Sequence, residues 1–170
     1  MKSFLQGQWF GHPLHSLFVH LPVALWPAAL VFDLISQFRS GDPAWPQAAF
    51  YAMSLGLASA ALALPTGLAD GLDLQRDHSA RKWGQYHLIL TSSATGLWVI
   101  NFSLRVMTFT KATSVPLGLL GLSVLGTVVI LVGSYLGGRL VYGYGVGVAR
   151  ASKGKGRHLA QVGGAHLPPE

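Results

Sequence analysis

Four apolar stretches, roughly residues 14–37, 46–69, 85–109 and 115–141, leave little choice of fold for a chain of 170 residues. A helix needs about 20 predominantly apolar residues to cross the hydrocarbon core, and at about 1.5 Å per residue each stretch reaches that length. Within lipid the backbone has to satisfy its own hydrogen bonds, which a helix does inside one segment. Composition agrees: 11% of the residues are charged, against about 25% in soluble domains, and the mean hydropathy is +0.43. The expected architecture is all-α, a four-helix transmembrane bundle over residues 1–148 with a tail at 149–170. An apolar segment carrying His15, His20, Pro22 and Asp33 is too long and too polar for a cleaved leader and is expected to stay.

Basic residues beside the span ends set the expected orientation. Lys2, Arg76, Arg81, Lys82, Arg139, Arg150, Lys153, Lys155 and Arg157 fall on one side, and Arg39, Arg105 and Lys111 on the other. Both termini are thus expected in the cytoplasm and the protein in a bacterial inner membrane. The basic, glycine-rich tail should be disordered and rest on anionic lipid. It has no interleaved aromatic residues for base stacking, so nucleic acid is not an expected partner.

The absence of cysteine excludes disulfides, thiolate metal sites, iron–sulfur ligation and covalent haem attachment. What remains for ligation is nitrogen and oxygen. The stretch GHPLHSLFVHLP places His12, His15 and His20 at the mouth of the first span, where imidazole is costly without a partner, metal or proton. On the third span His87, Thr91, Ala94, Trp98, Asn101 and Arg105 fall on one helical stripe, and His15, Val19, Pro22, Trp26, Ala29 and Asp33 form its counterpart on the first. His15 matches His87, Trp26 matches Trp98 and Asp33 matches Arg105. The last match predicts an ion pair near the outer boundary, and the set reads as a faint parallel repeat of helix pairs. Spans two and four show no comparable match. His20, about 140° around the helix from His15, should face elsewhere.

Two ligand readings follow. In the first, haem b sits between His87 and a histidine of span one, His15 before His20. Trp26 and Trp98 then wall an apolar slot, and Arg139 or Arg81 meets a propionate. In the second, a bare iron, zinc or copper ion takes further ligands from His12 or Asp70. Asp70 could alternatively orient a ligating imidazole. The glycine stripe Gly126, Gly133 and Gly137 on span four admits a close helix or a flat cofactor.

HPLH followed by VHLP, the later RKWGQYH and the closing GGRLVYGYGVGV resemble the bacterial membrane family catalogued as domain of unknown function 2231, over roughly residues 12–148. The resemblance implies a four-helix bundle, with some relatives joined to redox modules such as Rieske-type domains. It carries His12, His15, His20 and His87 over as motif positions without giving them roles. Similar sequences often read GGHLVY where this chain has Arg139.

The expectation is therefore a lipid-embedded protein that binds haem or a transition metal near its cytoplasmic face, for electron transfer with a partner protein or for sensing, and is not an enzyme by itself. A small transporter or channel subunit with a histidine proton relay, and a structural or partner-binding membrane module, are the competing readings.

Overall fold

The computed structural model describes residues 1–74 and 79–146, and of Phe10 the backbone alone. The basic tail and the residues 75–78, which include Arg76, lie outside the described residues. The rest is all-α. A short α1 (Lys2–Leu5) and a 3-10 turn (Gln8–Phe10) precede four long helices, α2 (Leu14–Phe38), α3 (Ala44–Gly71), α4 (Ser79–Arg105) and α5 (Leu117–Tyr144). Three of these, α2, α3 and α5, are long and apolar enough to cross a membrane. The polar stripe of α4 sets it apart from them.

Local chemistry explains the boundaries. Pro13 and Pro116 immediately precede α2 and α5, where a residue without an N–H costs the helix nothing. Gly145 ends α5 in the left-handed conformation, its N–H turned back to the carbonyl of Val141 and that of Val146 to the carbonyl of Leu140. The third long helix, α4, starts before the stretch expected at 85–109 and ends at Arg105, because the backbone from Val106 to Ala112 closes into turns on Phe102, Arg105 and Thr108. Pro22 and Pro27 lie inside α2, which continues through both. Pro22 cannot donate to the carbonyl of Phe18 one turn earlier. The hydroxyl of Ser59 on α3 donates to that carbonyl at 2.7 Å, so the proline's lost bond is replaced from the neighbouring helix.

The long helices pack as two hairpins, α2 on α3 and α4 on α5, joined by narrower α2–α5 and α3–α4 contacts. The helices α2 and α4 are therefore diagonal, and their large side chains meet along the bundle axis. Room for them comes from the other diagonal. A Cβ at Gly126 would lie 2.7 Å from Nε1 of Trp98, and one at Gly56 would collide with the indole of Trp26. The N-terminal segment is tied to the end of α3: Lys2 pairs with Asp73, and Gln6 donates to Asp73 and, at 2.9 Å, to the carbonyl of Ala69. Asp73 thus anchors the chain's start to the end of α3.

Candidate functional site: three residue pairs on the bundle axis

Between α2 and α4 the axis carries three pairs in order. At the end where both helices begin, the imidazoles of His15 and His87 stand with centres 6.2 Å apart and planes at 86°. Each Nδ1 lies 2.8 Å from a backbone carbonyl of the next helix, Ala63 for His15 and Gly133 for His87. A carbonyl can only accept, so each Nδ1 carries a hydrogen, and in the neutral ring Nε2 is then the nitrogen that can bind a metal. This is the arrangement that fixes tautomer and ring orientation in metal-ligating histidines. Glycine makes the seat. A Cβ at Gly67 would stand 2.6 Å from Cε1 of His15, and one at Gly137 2.9 Å from Cε1 of His87.

Further along, Trp26 and Trp98 stack with ring centres 5.6 Å apart, both fully buried. Their faces are spent on each other and their edges on glycines, so they plug the axis where a slot between them was expected. Each indole N–H is buried without an acceptor, a symmetrical deficit at Trp26 and Trp98. Leaving such a donor unpaired costs about 1–3 kcal/mol.

The third pair is the expected ion pair. Arg105 holds Asp33 with two parallel bonds of 2.7 and 2.8 Å, in the forked geometry that suits guanidinium and carboxylate. Ser123 donates to Asp33 at 2.6 Å, and Asn101 accepts from Arg105 Nε at 2.8 Å. Asn101 in turn donates to Ser123 at 2.8 Å. Every member is buried, so a charge that would be prohibitive alone is matched on all sides. Next to it Ser36 accepts from the N–H of Val115 at 3.2 Å, and Gln37 donates to the Val115 carbonyl at 2.8 Å, tying the α4–α5 loop to α2.

The remaining sequence candidates lie apart from the axis. His12 and His20 are exposed, and His20 leaves His15 to face the pair, as the helical wheel requires. Asp70 is half-buried near the end of α3. Among the described residues no three histidines or carboxylates gather around a common point, so His12, His20 and Asp70 do not complete a multi-ligand site with His15 and His87. Arg139 does not face the pair either. Two residues beyond Gly137 it is about 200° around α5, exposed, with its guanidinium 4.0 Å over the ring of Trp83.

The fold and its axis define a multi-pass helical membrane protein with polar groups buried along a pseudo-two-fold line. The chain belongs to the family described as predicted membrane protein (DUF2231), which matches residues 11–150. No curated protein and no solved structure matches it.

Proposed function

We propose that this is a four-span protein of the bacterial cell membrane, with both termini in the cytoplasm, that holds haem b between His15 and His87 and serves electron transfer or sensing. The observation that carries the reading is the pair itself: two imidazoles from opposite hairpins, 6.2 Å between centres, each with Nδ1 committed to a backbone carbonyl. The two Nε2 atoms would be the ligands to a bound metal, imidazole nitrogen being a common donor for iron, copper and zinc. Haem needs two axial nitrogens and no more, whereas structural zinc asks for four ligands. Seats that a Cβ on Gly67 or Gly137 would fill also favour a site shaped around the rings. Bound haem would supply one-electron redox chemistry; the chain would supply the two nitrogens, fix their orientation and surround them with an apolar bundle. A bare iron or copper ion on the same two nitrogens is the nearest variant. A proton-relay transporter is less well supported, because the stacked Trp26 and Trp98 close the axis between the histidines and the ion pair.

The test is the absorption spectrum and metal content of protein produced with ample haem and iron, compared with His15→Ala, His87→Ala and His20→Ala. A signal lost in the first two and kept in the third supports the reading. A colourless, metal-free wild type overturns it.

A further inference from the structure

On the outside of the bundle, at the end that carries the histidines, Tyr135, Gly138, Arg139 and Tyr142 line an open concavity of about 430 Å³. They sit at one-turn spacings on a single stripe of α5, and the two tyrosines are 72% and 82% exposed. Arg139 is five residues from the end of α5, about 7–8 Å inside it along the axis. A guanidinium at that depth on an outward face is costly unless it finds an anion or reaches the headgroups. Among the described residues it makes no ion pair with a carboxylate; its guanidinium lies 4.0 Å over the ring of Trp83. A ring face accepts no forked pair of hydrogen bonds, and the guanidinium carries five N–H donors that suit an oxyanion. Beside it Lys82 stands 5.9 Å from the ring of Tyr86, adding positive charge to the same end of the α4–α5 hairpin.

We infer that this groove is a binding site for the phosphate of an anionic phospholipid, gripped by Arg139 between the two tyrosine rings. Phosphate matches the fork of the guanidinium bidentately. Tyr135 and Tyr142 supply the amphipathic walls found where spans meet headgroups, and their hydroxyls are further donors. The exposed apolar stripe that continues along α5 through Val128, Leu131 and Val132 gives the acyl chains a surface to follow. Basic side chains near a span end are a recurrent means of holding anionic lipid headgroups. The site faces away from His87 and shares no lining residue with the histidine pair.

The test uses full-length protein, delipidated in a neutral detergent, with its thermal midpoint titrated by phosphatidylglycerol, phosphatidylcholine and inorganic phosphate. Phosphatidylglycerol is expected to raise the midpoint at concentrations where the other two do not. Arg139→Gln should weaken its apparent affinity about tenfold, the loss of one charge-assisted fork. Arg139→Lys, which keeps the charge but not the fork, should lose more than half of the response and decides the matter if Arg139→Gln fails to fold. Equal responses to the two lipids, an undiminished response in both variants, or an equal effect of inorganic phosphate would each overturn the proposal.

Discussion

Trp98 stacks on Trp26 from the opposite hairpin at the same separation in sequence, 72 residues, that joins Arg105 to Asp33. His87 and His15 repeat it again. The partner helices carry a matching relationship: Gly56 and Gly126 receive the indoles, Ala63 and Gly133 receive the Nδ1 hydrogens, and Gly67 and Gly137 seat the imidazoles, each pair 70 residues apart. The bundle is two copies of one helical hairpin facing each other across the axis.

Removing one side of the buried ion pair should be severe. Asp33→Asn or Arg105→Gln alone is expected to cost about 3–5 kcal/mol, because each leaves the other charge buried and unmatched. The double substitution should cost clearly less than the sum. Unfolding in detergent across the four proteins of the cycle measures the coupling, and strict additivity would show that the two residues do not interact.

Seating of the histidines depends on glycine. Gly67→Ala and Gly137→Ala should each push an imidazole from its place, lowering stability by about 1–3 kcal/mol and reducing any bound haem or metal. Gly121→Ala on the same α5 meets nothing within 4 Å and is the control. It should be neutral or gain up to about 1 kcal/mol from helix propensity. Equal behaviour of the three variants by thermal denaturation and absorption would remove the seats from the account.

The stacked indoles behave as packing. Trp26→Ala and Trp98→Ala should each cost about 3–5 kcal/mol, as deletion of a large buried ring does, and by similar amounts given their equivalent places. Trp→Phe at either position should cost less, since it keeps a ring and removes a donor that has no acceptor. Denaturation midpoints distinguish these outcomes; a Trp98→Phe protein as weak as Trp98→Ala would show that a retained ring does not restore the packing and would overturn this account.

Orientation is checked independently. A cytoplasm-active reporter fused after Glu170 should give signal and a periplasm-active one should not, as nine basic flanking residues against three require. The reverse result would place the histidine end on the other side of the membrane.

Helical periodicity made the axial pairs readable before any coordinates, because His, Trp, Asp and Arg are rare enough in apolar helices to mark a face. Their partners on α3 and α5 were not readable as a repeat. Gly56, Ala63 and Gly67 act by the volume they leave empty, and small residues occur so often in membrane helices that three coincidences among them carry no signal. The direction in which Arg139 points is hidden for a related reason. Sequence places it at the histidine end, where the structure has it, but only the approach of Gly137 to His87 shows which way α5 is turned, and that turn sends Arg139 outward. The helix ends drifted most where polar turns adjoin apolar runs, as between Arg105 and Val115.

Division of the histidine pair between the two hairpins has a consequence for how the protein is made. As the chain leaves the ribosome, α2 and α3 are complete before α4 is made, and at that stage His15 has its carbonyl acceptor on α3 but no opposite ring. The pair comes into being only when the second hairpin docks, with the Asp33–Arg105 fork closing at the far end in the same event. Anything bound between the histidines therefore reports that both halves have arrived and found their register.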